Sequence, residues 1–289
     1  MEWTGNLRKA VQYIEEHLLD EIDAEDVADA VYMSPFYFQK GFHIMTGYTI
    51  AEYIRYRRLY LAALEALSGD KKIIDLAYRY GYQTPESFTK AFSRFHGVSP
   101  MQLKTSPGSI KVFLPLKITI SIQGGNDMNV TIEKMDSMTV IGCEKEVHLD
   151  NSYHEIPAFW SEFCVQCCAG NGDPAVGQAV EANCIGEFGI CIDDMPGTNK
   201  LHYMIAGKYR GGEVPEGMKL FELPALQWAK FSCCGPLPGA LQSVNTKIFN
   251  EWLPNNPDYE ISAGINVEYY SMGDTAAPDY ESEIWIPVK

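Results

Sequence analysis

The chain has 289 residues, of which 46% are hydrophobic, with 23 Lys and Arg against 38 Asp and Glu for a net charge of −15. That length points to two domains with material for packed cores, and no apolar run approaches the roughly 18 residues that a membrane span requires. The beginning, with Glu2, Glu15 and Glu16 in an amphipathic pattern, does not read as an export signal, so a cytoplasmic location is expected.

The charge is unevenly spread. Residues 1–35 hold two basic and nine acidic side chains, residues 36–106 hold ten and five, and residues 107–289 hold eleven and twenty-four. Only the middle segment is positive, which makes it the place to look for phosphate contact. Residues 4–19 put Leu7, Val11, Ile14 and Leu18 at helical spacing, a packing helix. Residues 24–31 form a short second helix. The stretch Ser34-Pro35-Phe36-Tyr37-Phe38-Gln39-Lys40-Gly41-Phe42 comes next, and fifty residues on it recurs as Thr84-Pro85-Glu86-Ser87-Phe88-Thr89-Lys90-Ala91-Phe92. Each copy has a hydroxyl N-cap, Pro at the first helical position and two Phe four apart on one face. Each is preceded by a short helix, 24–31 or 73–80. A supporting helix, a tight turn and a capped second helix make a helix-turn-helix unit, here used twice. Residues 49–67 form a long helix between the units, with Arg55, Arg57 and Arg58 either on phosphates or on a solvated face. Residues 99–104 add a closing turn.

The run Ile73-x-x-Leu76-Ala77-x-x-x-Gly81-Tyr82, then Phe88, Phe92, Gly97, Ser99 and Pro100, resembles the DNA-binding domain of AraC/XylS-family transcription regulators. The likeness covers about residues 4–105. Leu103-Lys104, where that family usually ends in Tyr-Arg, and Gly41, in a slot that more often holds a larger residue, depart from it. The resemblance implies base-facing positions at Phe36, Gln39 and Lys40 in the first unit and at Glu86, Ser87 and Lys90 in the second. The residue types suit base reading, since Gln pairs with adenine, Lys reads guanine, Glu accepts from cytosine, and Phe meets a thymine methyl. Two heads on one duplex face would stand about 34 Å apart.

Residues 107–128 read as a linker, with a strand at Ile118, Ile120 and Ile122 expected to pack on the C-terminal half. Residues 129–289 read as an α+β domain built from two strand-helix-strand-strand repeats. The first has strands near 130–133, 138–147, 185–192 and 201–209 around a helix at 152–168. The second has strands near 219–223, 225–234, 262–270 and 282–288 around a helix at 238–253. The last strand, Glu283-Ile284-Trp285-Ile286-Pro287-Val288, with Tyr269-Tyr270-Ser271 before it and Phe159-Trp160 in the first helix, looks like the closing signature of GyrI-like effector-binding domains. That resemblance implies a pocket with Glu283 at its floor and Trp285, Tyr269 and Trp160 as walls, and Tyr203 on the matching strand of the first repeat is expected to face the same groove. An aromatic wall beside a partly desolvated carboxylate favours a lipophilic cation.

The fold class expected is therefore an all-α double helix-turn-helix domain (1–106) before the α+β domain (129–289). The function expected is a sequence-specific transcription regulator that binds promoter DNA and a small-molecule effector. RNA polymerase is a further partner that such a role allows, and no cofactor, metal or catalytic residue is expected. Two other readings carry less. One is a GyrI-like hydrolase with Glu283 and a Tyr as acid and base. The other is a thiol or metal sensor using Cys164, Cys167 and Cys168, for which no His stands at a useful spacing.

Overall fold

A computed structural model describes residues 3–68, 71–105, 110–118, 128–165, 174–195 and 198–289. The helices of the N-terminal part are α1 (Trp3–Glu16), α2 (Ala24–Ala30), α3 (Pro35–Thr46), α4 (Ile50–Ser68), α5 (Ile73–Arg79), α6 (Pro85–His96) and α7 (Pro100–Thr105). Two compact units result. One holds residues 4–33 and 46–121; the other holds residues 1–3, 34–45 and 122–289. The sequence reading puts residues 1–106 in one domain, with a linker at 107–128, whereas here the segment carrying α3 counts with the C-terminal unit.

In the helical unit two helix starts are capped, Thr84 as its residue type suggests and Asp23 in addition. Asp23 accepts from the backbone N–H of Glu25 and Asp26, and the Asp26 carboxylate returns to the N–H of Asp23, a capping box. Thr84 Oγ1 accepts from the N–H of Ser87 at 3.1 Å at the start of α6. Leu59, Ala62, Ala63, Leu76, Ala77, Phe88, Phe92 and Leu103 form one core. The small Ala62, Ala63 and Ala66 of α4 leave room for the two Phe rings of α6, which touch at 5.5 Å.

Two of the three arginines of α4 belong to this packing. Arg57 is buried; its Nε and Nη2 both reach the Glu15 carboxylate at 2.7 Å, and its Nη1 donates to the carbonyl of Phe113. Arg58 donates to the carbonyls of Leu18 and Asp20 at 2.8 and 2.6 Å. Only Arg55 is a surface group, 3.9 Å from Glu52. A buried guanidinium must be paired and bonded, and Glu15 of α1 with the Phe113 carbonyl does this for Arg57. Linker residues 110–118 pack here too, where the sequence pattern suggested a strand packed on the C-terminal half. The ring of Phe113 lies 5.3–6.2 Å from those of Tyr48, Tyr53, Tyr56 and Phe95, and the N–H of Leu116 donates to Tyr53 Oη at 3.1 Å. Ile118 is not in a strand, and Ile120 and Ile122 lie outside the described residues.

The C-terminal unit is built on β1 (Val130–Met135), β2 (Met138–His148), β3 (Phe188–Ile192), β4 (Lys200–Lys208), β5 (Lys219–Leu223), β6 (Leu226–Cys234), β7 (Ile265–Tyr270) and β8 (Glu281–Val288). They form one eight-stranded sheet in the order β1-β6-β8-β7-β3-β4-β2-β5, with every pairing antiparallel. Exchanging each strand of the first repeat with its counterpart in the second reverses that order, so the two repeats are related by a pseudo-twofold between β3 and β7. Helix α8 (Ser152–Phe163) follows β2. Helix α10 (Gly239–Lys247) follows β6 and runs on through a π turn at Ile248–Trp252. A further helix, α9 (Pro174–Asn183), is not foreseen from the sequence.

Strand alternation divides the side chains between two faces. Val140, Phe188, Ile190, Met204, Trp228, Val267 and Trp285 share one cluster. The opposite face carries Cys191, Tyr203, Phe231, Asn266, Glu268 and Ile284, and the helices cover it. Lys145 of β2 meets Glu162 of α8 at 2.8 Å, and the rings of Phe231 and Trp252 meet edge to face at 5.0 Å.

Candidate functional site

Helix α6 presents an open face. Phe88 and Phe92 are fully buried on one side, and Glu86, Ser87 and Lys90 are exposed on the other, with Arg94 one turn beyond Lys90. Ser87 Oγ donates back to the carbonyl of Thr84 at 2.8 Å, which tightens the first turn. The exposed face thus carries an acceptor, a hydroxyl and two cations at helical spacing, groups suited to base edges and phosphates.

Helix α3 is placed differently. It lies on the helix-covered face of the sheet, and Phe36 is only 5% exposed. Asp193, just after β3, takes its N-terminus: the carboxylate accepts from Ser34 Oγ at 2.5 Å and from the N–H of Phe36 at 3.3 Å. A carboxylate there answers both the free N–H groups and the positive helix end. Tyr37 is fully buried and its hydroxyl donates to the carbonyl of Ile265; burial above all holds that phenol far above its usual pKa. Gln39 Nε2 donates to Asn199 Oδ1 at 3.1 Å and Lys40 Nζ to Asn266 Oδ1 at 2.9 Å. So Phe36, Gln39 and Lys40, expected at bases, are all engaged by the C-terminal unit in this structure.

The five residues expected in one pocket fall into two groups. Trp160 and Tyr203 meet on the helix-covered face. Trp160 Nε1 donates to Tyr203 Oη at 2.8 Å, and the Trp160 ring lies edge-on to that of Tyr270 at 5.3 Å. Tyr270 Oη in turn donates to Glu268 at 2.8 Å. Gly189 makes this convergence possible: a Cβ there would stand 2.2 Å from the Tyr203 hydroxyl. Burial, and next the Glu268 carboxylate, push both tyrosines well above the ordinary phenol pKa, so each keeps its proton. Glu268 is half-buried and accepts from a phenol, and no Lys, Arg or His pairs with it among the described residues.

Glu283, Trp285 and Tyr269 meet on the opposite face, because residues an odd number apart on a strand point to opposite sides. The rings of Tyr269 and Trp285 stack at 6.0 Å, and Trp285 Nε1 donates to Glu283 at 2.6 Å. A resident cation already sits there: Lys230 Nζ lies 3.9 Å from the Trp285 ring centroid and pairs with Glu133. The carboxylate and aromatic face of this cluster are therefore internally satisfied.

Of the cysteines weighed as a sensor, Cys164 is exposed, and Cys167 and Cys168 lie outside the described residues. Among the described residues, no group of three or more His, Cys, Asp or Glu is disposed to hold a metal ion, and no helix is long and apolar enough to cross a membrane.

Residues 131–288 match the family of integron-associated effector binding proteins, and residues 27–106 match a helix-turn-helix domain family. Over 88 residues the chain is 34% identical to the regulatory protein SoxS of Salmonella typhimurium, covering 30% of this chain and 82% of that one. It is 35% identical over 105 residues to the HTH-type transcriptional regulator YbfP of Bacillus subtilis, a match spanning 36% of each. Among solved structures, SAV2435 bound to tetraphenylphosphonium aligns with 56% of this chain and 94% of its own, at 21% identity and a TM-score of 0.46.

Proposed function

This chain belongs to the family of integron-associated effector binding proteins and carries an AraC-type helix-turn-helix domain, and on that premise we propose that it is a one-component transcription regulator whose C-terminal domain takes a lipophilic cation at Glu268. The observation that supports the cation is Glu268 itself. It is a half-buried carboxylate on the covered face, bonded by Tyr270, flanked by Trp160 and Tyr203, and without a cationic partner among the described residues. An aromatic surround attracts a cation through its ring faces. A partly dry carboxylate gains more from a counter-charge than a solvated one does. Glu283 has the same residue types around it, but Lys230 fills the cation's place there.

Tetraphenylphosphonium serves as the probe, read by quenching of tryptophan fluorescence. Glu268→Gln, which removes the charge and keeps the shape, is expected to weaken binding at least about tenfold, which is roughly 1.4 kcal/mol. Glu283→Gln is expected to leave it unchanged. The reverse result would move the site to the other face of the sheet.

On the DNA side, α6 supports the reading, with Glu86, Ser87 and Lys90 free to face bases. A regulator of this kind works in the cytoplasm at promoter DNA, with RNA polymerase as its neighbour. The effector acts only in so far as it favours one of two arrangements of the protein. A gel shift on duplex DNA at moderate salt tests this half, and no sequence-selective retention would overturn it.

A further inference from the structure

The two copies of the repeat differ at a position that DNA reading does not explain. Ala91 of α6 corresponds to Gly41 in α3. A Cβ at position 41 would stand 2.1 Å from the Trp3 ring and 2.8 Å from the ring of Phe249, which the π turn after α10 carries. Glycine inside a helix costs about 1 kcal/mol against alanine, and here it is what lets α3 lie close against those two rings. The other contacts of α3 with this surface are specific. Asp193 holds its N-terminus, Ile265 the hydroxyl of Tyr37, Asn199 the amide of Gln39 and Asn266 the ammonium of Lys40.

We propose that this docking withholds the first reading head from DNA, and that a cation seated beside Glu268 loosens it. The first part stands on the contacts alone; the second rests on the cation site proposed above. Asn266, which holds Lys40, and Glu268 lie on the same face of β7 two residues apart, about 7 Å along a strand. Cys191 of β3 is the cross-strand partner of Asn266 on that face, and its buried thiol senses both Lys40 and Glu268. An effector cation at Glu268 therefore comes close to the Lys40 ammonium where water is scarce, and like charges there repel. Release of α3 frees Phe36, Gln39 and Lys40 together.

The test uses the full chain and a duplex selected from a randomised pool by the protein itself. Gly41→Ala and Asp193→Ala are each expected to bind that duplex roughly three- to tenfold more tightly without effector and, because a cation that loosens the docking must bind the undocked arrangement better, to bind tetraphenylphosphonium more tightly as well. A glycine with only a structural role predicts no such gain, and thermal melts show whether either variant stays folded. Asn199→Gly, which suits the positive φ of 52° at that position, removes one of the α3 contacts, that to Gln39, together with the bond from Asn199 to Asp150, and is expected to give a smaller gain in the same direction. In the parent chain, tetraphenylphosphonium is expected to speed amide exchange across residues 34–42. It is also expected to tighten DNA by the factor by which DNA tightens it. Folded variants that bind DNA no better than the parent overturn the docking proposal. Tighter variants with unchanged exchange at 34–42, although fluorescence shows the cation bound, overturn the effector's part in it. No binding of the cation to the parent overturns the cation-site reading instead, and the variants still decide the docking.

Discussion

Two helices with one sequence plan, α3 and α6, are put to different use by their surroundings. Both begin with a hydroxyl residue and Pro, and both bury a pair of Phe four residues apart. In α6 the polar side stays open and its N-terminus is capped by its own Thr84. In α3 the polar side is bonded to a sheet, and its N-terminus is taken by a carboxylate 159 positions away in the chain. A helix-turn-helix pattern specifies what a helix can read; what covers it specifies whether it reads.

Substitutions in matched positions sharpen that contrast. The largest expected effect is Phe88→Ala, which removes a fully buried ring from the helical core and is expected to cost that unit about 3–5 kcal/mol in a denaturant titration. Next comes Lys90→Ala, expected to weaken DNA binding several-fold and to lower the slope of log affinity against log salt by about 1. Lys40→Ala is expected to cost less, since it also removes a bond that holds α3 to Asn266; an equal loss would mean that the two heads are equally available. Thr84→Ala is expected to destabilise the helical unit by about 1 kcal/mol through its lost cap, whereas Ser34→Ala is expected to show in DNA affinity, because the Ser34 hydroxyl serves Asp193.

The smallest effect concerns pH. His96 is buried, its Nε2 lies 3.1 Å from the carbonyl of Leu59, and its Nδ1 accepts from the N–H of Lys111 at 3.2 Å. The neutral ring thus satisfies both groups, and a second proton would break the Lys111 bond. Burial first, and the Lys111 charge in addition, lower its pKa below the usual 6.5. A lowered folded pKa means that the unfolded chain binds the proton first as pH falls. Stability of the helical unit is therefore expected to be full above about pH 6.5 and to decline as pH falls from there through the lowered value, a slope that His96→Gln removes in melts at stepped pH.

Much of the fold was legible in the residues. The fifty-residue repeat, the Ser and Thr starts and the Phe spacing marked both helix-turn-helix units, and alternation marked the strands of both halves of the sheet. The pocket was harder. Glu283-Ile-Trp285 and Glu268-Tyr-Tyr270 each place a carboxylate and an aromatic on one face of a strand, and alternation alone does not say which face receives the helices. Nor does spacing show that Lys230 stands across from Trp285 on β6 and β8 and fills the cation's place beside Glu283. The one local hint was Glu268 in the run Ile265-Asn266-Val267-Glu268-Tyr269-Tyr270, the single charge in a central strand. Arg57 and Arg58 looked like surface cations because their partners, Glu15 near the end of α1 and the carbonyls of Leu18 and Asp20 just after it, lie about forty residues away in the chain. Gly41 announced a close approach without naming what approaches.

The pairing of β1 with β6, and of β5 with β2, gives each repeat the outermost strand of the other. Neither repeat can complete its own edge, so the two are interlocked like clasped hands rather than set side by side. Duplication here has produced partners that can no longer part, and a deletion at their junction must leave the chain long enough for the clasp to close.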